Sequence, residues 1–305
     1  MGLLDGSVAI VTGAGRGIGR GEALELAREG ARVVVNELDA EVGRSVVDEI
    51  TAAGGEAVLD TGDCSEEDTA RHLVGTALDT WGRLDALVNN AGILRDRTVA
   101  KMSADEWDAV VKVHLRGHFL PTHYACAHWK ETGTGGRIVC TASTSGLLGN
   151  FGQANYGAAK AGIAAFSTIV AMEMARYGVR CNAIAPAART RMTESAYGAF
   201  KDLSADDEAE VFDFWHPDNV APLVAYLCSE SAGSISGKVF GVQGDAVELY
   251  QPFTSVAVIQ NHDTRFTAEG IAARAHELFD ASGINPEVEN MMAKLRFTMT
   301  DRAEL

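Results

Sequence analysis

The segment 8-VAIVTGAGRGIGR-20 constrains the fold of this chain more than any other. Val8 to Val11 make a short unbroken apolar run, the pattern of a strand buried on both faces in a parallel sheet. The stretch 21-GEALELAREG-30 reads as an amphipathic helix, and the Gly-rich turn joins the two. A second strand, 33-VVVN-36, follows, so the N-terminus has the form of a βαβ unit. Gly13, Gly17 and Gly19 permit a tight turn and close approach of backbone to a pyrophosphate resting on the helix N-terminus. Glu37 ends the second strand about twenty residues beyond the turn. A carboxylate there accepts hydrogen bonds from adenosine ribose hydroxyls and repels a 2′-phosphate, which favours NAD over NADP. Arg16 argues the other way: it precedes Gly17 and either contacts a 2′-phosphate, lies over the adenine or stands in solvent. Glu37 carries the greater weight.

A second constellation lies in 138-IVCTASTSG-146 and 153-QANYGAAKAG-162. Tyr156 and Lys160, four apart on a helix, share one face, so the ammonium can stand close to the phenol oxygen. A free phenol has a pKa of about 10, and moving it about 3 units towards neutrality takes roughly 4 kcal/mol in favour of the phenolate. A neighbouring cation supplies such a bias. Ser143 adds a hydroxyl that can hold a substrate oxygen while Tyr156 gives or takes its proton. Alone, the Tyr–Lys pair reads as an ordinary helix pair; its company with the Gly-rich turn overturns that.

Together these segments resemble the short-chain dehydrogenase/reductase family over about residues 5–250. The marks stand in order: 12-TGAGRGIG-19, Asp63 in 62-GDC-64, 89-NNAG-92, Ser143, Tyr156 and Lys160. The resemblance implies a Rossmann-type, doubly wound parallel α/β sheet. It places Asp63 near the adenine amino group, Asn90, Ala91 and Gly92 around the cofactor pocket, and Lys160 on the nicotinamide ribose and the Tyr. Ile18, Cys64 and Pro186 complete the cofactor-binding set it assigns. Two positions depart from the usual pattern: His114, in 113-VHLRGHF-119, stands where most members have Asn, and Ala187 follows Pro186 where Gly is usual. The strings 89-NNAGILRDR-97, 113-VHLRG-117 and 149-GNFGQANYGAAKAG-162 are similar to the dehydrogenase unit of multifunctional enzyme type 2 and its bacterial relatives, which oxidise (3R)-hydroxyacyl-CoA esters. That group also carries His at the Asn position. An imidazole there either holds a water in the proton exit from Lys160, titrating near neutral pH, or is a satisfied core residue.

Composition narrows the partners. A chain of 305 residues with 47% apolar content can bury a large core as one domain. A net charge of −16, with no basic run, speaks against nucleic acid. It also means that an acyl-CoA partner needs a local basic rim, for which Arg95 and Arg97, and Arg189 and Arg191, are the candidates beside an equal reading as solvated charges. The five cysteines have no metal-type or paired spacing, which points to free thiols in a reducing, cytoplasmic setting; no metal is expected. There is neither a secretory signal nor a run approaching membrane-spanning length. A homodimer or homotetramer is expected.

Seven strands are expected, at 8-VAIV-11, 33-VVVN-36, 56-EAVLD-60, 85-DALVNN-90, 137-RIVCTA-142, 179-VRCNAIA-185 and 238-KVFGV-242. Helices fall at 66–81 and 105–131, the second kinked or split by Pro121. The catalytic domain spans 1–250. Residues 190–217 read as a substrate lid in which Tyr197, Phe200, Phe212, Phe214 and Trp215 touch substrate or pack the lid down. A helical extension covers 251–305, with one helix over 267–283, capped by Thr267 and ended by Gly283, and another over 286–297. The favoured function is NAD-dependent hydride transfer on a 3-hydroxyacyl-CoA; the alternatives are a hydroxysteroid or 3-oxoacyl reductase, and a dinucleotide-binding regulatory or scaffold protein.

Overall fold

The computed structural model describes residues 2–190 and 212–291. Its contacts divide the chain into two units, 1–249 and 250–305. In the first unit the strands are β1 (Val8–Thr12), β2 (Arg32–Glu37), β3 (Ala57–Thr61), β4 (Ala86–Asn89), β5 (Gly136–Thr141), β6 (Val179–Ala187), β7 (Val239–Gln243) and β8 (Ala246–Tyr250). They form one sheet in the order β3-β2-β1-β4-β5-β6-β7-β8, and all pairings from β3 through β7 are parallel. The sheet has eight strands where the sequence led us to expect seven. The extra one, β8, follows β7 after only Gly244 and Asp245, a connection short enough for an antiparallel return alone. Its alternating burial marks a half-covered edge, a weaker signal than the solid apolar runs of the inner strands.

The inner strands are buried on both faces because helices cover both. Alternate strand residues enter two cores. Ala9, Val11, Val33 and Val35 pack with Leu26 of α1 (Gly17–Arg28), Val46 and Ile50 of α2 (Ala40–Ala52) and Val224 of α8 (Ala221–Cys228). Val8, Ile10 and Val34 pack on the opposite face with Leu73 of α3 (Glu67–Trp81), Trp129 of α5 (Gly117–Thr132) and Ile163 of α7 (Ala154–Met174). The strand order reverses between β1 and β4, and the C-terminal ends of these two strands flank a crevice, the place where open α/β sheets bind ligands.

The long helical region does not break at Pro121. A capping box, Ser103 with Glu106, starts α4 (Ala104–Val111); a π-helical turn, Lys112–Arg116, follows, and α5 runs through Pro121. The irregular turn lies one turn upstream of the proline and carries His114. The short α6 (Thr144–Leu148) precedes α7. Residues Ala154–Tyr177 are long and apolar enough, by length and composition, to cross a membrane, contrary to the sequence expectation. In the fold α7 packs on β5, β6 and α6, the position of a core helix.

In the second unit Thr267 caps α9 (Ala268–Arg274), accepting from Gly270 N at 3.0 Å, and the left-handed Gly283 ends α10 (His276–Ser282). The expected single helix is thus two, broken at Ala275. Residues 286–290 are not helical, and 292–297 lie outside the described residues, as do Tyr197, Phe200 and Arg191.

Candidate active site

The Gly-rich turn is packed too tightly for side chains. A Cβ on Gly19 would lie 2.3 Å from Gly13 O and 2.4 Å from Asn90 Nδ2, and one on Gly15 would lie 2.5 Å from Glu37 Oε2. Gly13 and Gly17 have φ of +62° and +54°. Asn90, in the turn after β4, ties the two strand ends together: its Nδ2 donates to Thr12 O and Gly13 O, each at 3.1 Å, and its N–H donates to Thr12 Oγ1 at 3.0 Å. Ala91 N–H donates to the same hydroxyl at 3.2 Å. Asn90 and Ala91 therefore brace the turn. The N-terminus of α1 has neither a side-chain cap nor an acidic residue in its first turn, so its N–H groups remain open to an anion.

Glu37 is fixed in place at the end of β2. Its Oε2 accepts from Gly15 N at 3.0 Å and its Oε1 from Leu38 N at 2.9 Å. Arg16 leans towards Asp39, 3.9 Å away, a carboxylate that sequence reading passed over and that also caps α2. Asp39 thus stands beside the cation that favours a 2′-phosphate, while Glu37 is held by the neighbouring Gly15. Asp63 Oδ1 accepts from the N–H and hydroxyl of Ser65 at 2.9 and 2.6 Å, which holds it at the end of β3. Cys64 is buried, and burial pushes its thiol up to about 12, so its side chain is inert. Ile18 packs against the core from α1, and Pro186 lies near the end of β6, paired with Val242. The turn geometry, the open helix N-terminus and the placed carboxylate together fit a dinucleotide.

Ser143 caps α6 at the end of β5, its Oγ accepting from Ser145 N at 3.2 Å. Tyr156 and Lys160 come from the first turns of α7, and Lys160 Nζ lies 5.5 Å from the centre of the Tyr156 ring. Lys160 is 2% exposed and donates to Thr141 O. Burial lowers its pKa to about 7, against the pull of Cys140 and Glu22. A cation that has lost its hydration exerts a strong field on the nearby phenol. Asn155, absent from the sequence-derived set, positions the neighbouring Tyr: its Nδ2 donates to Arg95 O and Glu106 O at 3.0 and 3.1 Å, while its Oδ1 accepts from Tyr156 N at 2.7 Å. A polar side chain directly before the Tyr in the first turn of α7 was its only sequence signal.

His114 stands edge-on to Tyr156, ring centres 5.2 Å apart. Its Nε2 meets both the N–H and the carbonyl of Ile93, at 3.1 and 2.8 Å, so either neutral tautomer finds a partner there. Gly92 makes room for the ring, since a Cβ at that position would lie 2.4 Å from His114 Cε1. The expected titration near neutral pH does not hold: burial, then the Lys160 charge, lowers the pKa to about 3 and keeps the imidazole neutral. Its Nδ1 is buried without a partner, so the ring is not a fully satisfied core residue.

Among the described residues the basic rim is smaller than the sequence implied, and Arg191 lies outside them. Arg97 is engaged by Glu106 at 2.9 Å and Arg189 by Asp213 at 2.6 Å. Arg95 is exposed and, among the described residues, has no carboxylate partner. Of the described lid residues, Phe214 is buried and fits against Gly244, where a Cβ would lie 2.2 Å from its ring, while Phe212 is half exposed.

The short chain dehydrogenase family model matches residues 7–199. The chain is 46% identical over 287 residues to the hydroxyacyl-CoA dehydrogenase ChsB1 of Mycobacterium tuberculosis, covering 90% of this chain and 87% of that one. It is 40% identical to the peroxisomal multifunctional enzyme type 2 of Mus musculus, over 91% of this chain and 37% of that longer protein. It is also 40% identical to a 3-oxoacyl-[acyl-carrier-protein] reductase of Synechocystis, over 81% of this chain and 99% of that one. A crystal structure of a short chain dehydrogenase from Mycobacterium avium superimposes with a TM-score of 0.83 at 43% identity, covering 94% of this chain and 98% of that one.

Proposed function

Because the chain belongs to the short-chain dehydrogenase family and is therefore an oxidoreductase, we propose that it moves a hydride between NAD and the 3-hydroxy or 3-oxo carbon of an acyl-CoA ester derived from a fatty acid or a sterol side chain. The observation that carries the reading is the buried Lys160 ammonium beside the Tyr156 ring at the C-terminal end of β5, next to Ser143. When bound, the nicotinamide supplies the hydride acceptor or donor. Ser143 Oγ holds the substrate oxygen. Tyr156 takes the alcohol proton in oxidation and returns it in reduction. Lys160 biases Tyr156 towards phenolate and reaches the ribose. Glu37, with Asp39 drawing Arg16 aside, supports NAD over NADP.

The substrate class rests on the likeness to two enzymes whose names specify hydroxyacyl-CoA or multifunctional peroxisomal chemistry. Five unpaired cysteines support a reducing compartment such as the cytoplasm. Exposed Phe119 on α5 and Ile169 and Met172 on α7 support self-association into a dimer or tetramer. Absorbance at 340 nm, followed with NAD and NADP across CoA esters, carrier-protein thioesters and free sterols, tests the proposal. Fastest turnover of a 3-hydroxyacyl-CoA with NAD is the expected result. A carrier-protein thioester or a free sterol turned over faster with NADP would replace it with the reductase reading.

A further inference from the structure

Three neighbouring strands carry a cation where they begin. Arg137 is the second residue of β5, Arg180 is the second of β6, and Lys238 directly precedes β7. The register sets Arg137 against Arg180, so the two side chains leave the same face of adjacent strands. Like charges directly opposite one another in a sheet repel. Glu230 answers Arg137, whose side chain is 14% exposed, as an ion pair. Arg180 has no carboxylate: its Nη1 donates to Leu227 O at 3.1 Å and Ile235 O at 3.4 Å, and its Nη2 donates to Ser229 O at 2.6 Å. These carbonyls, two of them around the end of α8, occupy its donors but bring only partial charge. Lys238 is exposed and, among the described residues, its ammonium has no carboxylate partner.

The three cations line one cleft of about 660 Å³, in which Glu230 is the one acidic residue among the described residues. In a chain of net charge −16 this is a local reversal of the field, and a concave wall concentrates it. The cleft lies at the N-terminal ends of the strands, away from the crevice: Arg137 begins β5, whereas Ser143 follows its other end. Ser234 and Ser236 bring hydroxyl groups to the wall from the turn before β7, and no aromatic ring lines it. Guanidinium groups match the oxygens of a phosphate in geometry as well as charge, and a dianion answers the excess of cations over carboxylates. The volume exceeds what a bare phosphate fills and is that of a site for a small organic molecule. Without a ring to stack on, a nucleobase finds no partner there, while a polyhydroxylated body finds the two serines.

We propose that this cleft is a second ligand site, separate from the crevice, which takes a sugar phosphate: the phosphate sits among Arg137, Arg180 and Lys238, and the sugar meets the hydroxyl groups of Ser234 and Ser236. The site stands apart from the hydride-transfer chemistry and does not depend on the substrate assigned above.

Titration calorimetry on the full chain tests this, with ribose 5-phosphate as the probe and the protein saturated with its nicotinamide cofactor so that the Gly-rich turn is already filled. Saturable binding is expected, with none for free ribose. The double variant Arg137→Gln, Lys238→Gln should raise Kd at least about 10-fold. Arg95→Gln, on the segment beside the acid/base, should leave Kd unchanged. No saturable binding, or the same Kd in the double variant, overturns the proposal; so does a weakened Arg95→Gln variant beside an unaffected double variant, because the probe then occupies the crevice. Inorganic phosphate should bind more weakly than ribose 5-phosphate, and equal affinity overturns the assignment of the sugar. If the double variant does not fold, the exposed Lys238→Gln decides alone, with Kd expected to rise about 3-fold at low salt and an unchanged Kd overturning the site.

Discussion

Glu22 is fully buried on α1, the helix whose Ala23 and Leu26 enter the apolar core, and neither of its carboxylate oxygens has a hydrogen-bond partner. Burial raises its pKa from 4.5 to about 8, outweighing the opposite pull of the Lys160 charge. A carboxyl whose folded pKa is raised holds its proton more tightly when folded. The penalty it adds is absent below pH 4.5, grows by about 1.4 kcal/mol per pH unit above that, and levels off past the folded pKa. Glu22→Gln should therefore leave the melting temperature unchanged near pH 4.5 and raise it by at least about 3 °C at pH 8. Equal melting temperatures at both pH values would show that the carboxylate is solvated in the folded protein. If Tyr156 is the acid/base, Tyr156→Phe should cut turnover by at least about 100-fold while the fold and coenzyme binding persist, measured by steady-state kinetics and coenzyme titration. Ser143, Tyr156 and Lys160 stand out in the sequence because acid–base chemistry needs those residue types at those spacings, and the structure brings the Lys160 ammonium within 5.5 Å of the Tyr156 ring centre. Asn155, Asp39 and Glu22 do not stand out, because each acts through a tertiary neighbour: two backbone carbonyls, the side chain of Arg16, and the enclosing core.

Elements were legible in proportion to how far their pattern is local. The inner strands declare themselves as solid apolar runs because both their faces are covered, Thr267 marks a helix start through its side-chain cap, and Gly283 marks a helix end through its left-handed backbone. The edge strand β8 lacks the solid run, and no single residue announces the π turn at Lys112–Arg116, so Pro121 drew the expected break to the wrong place. The Gly-rich turn is the element on which the site depends. Gly19→Ala would drive a methyl against Gly13 O and Asn90 Nδ2, and Asn90 cannot yield without releasing Thr12 and Gly13. Its affinity for NAD should fall at least about 10-fold, read by fluorescence titration or calorimetry. Unchanged affinity would mean that the turn relaxes freely, and with it the case for a pre-formed diphosphate cradle would weaken.

At the scale of the whole molecule, a net charge of −16 opposes any polyanionic substrate, so local cations must act against the general field. Sequence alone offered four arginines for this task. The structure sets Arg97 on Glu106 and Arg189 on Asp213, where their charge is already answered, and leaves Arg95 exposed in the segment after Gly92. Arg95 also offers its own carbonyl to Asn155, the residue that holds the Tyr156 backbone, so it lies on the segment adjoining the acid/base. If Arg95 meets the phosphates of a CoA ester, Arg95→Gln should raise KM for the full CoA substrate several-fold at low salt, about 1 kcal/mol, and leave KM for a short thioester of the same acyl group unchanged. Added salt should narrow the difference, because an exposed charge is screened over about 8–10 Å at physiological ionic strength. Arg97→Gln provides the comparison: it breaks an ion pair within the protein and should not discriminate between the two substrates. Matching KM ratios for the Arg95 and Arg97 variants, at low and at high salt, would remove Arg95 from substrate binding.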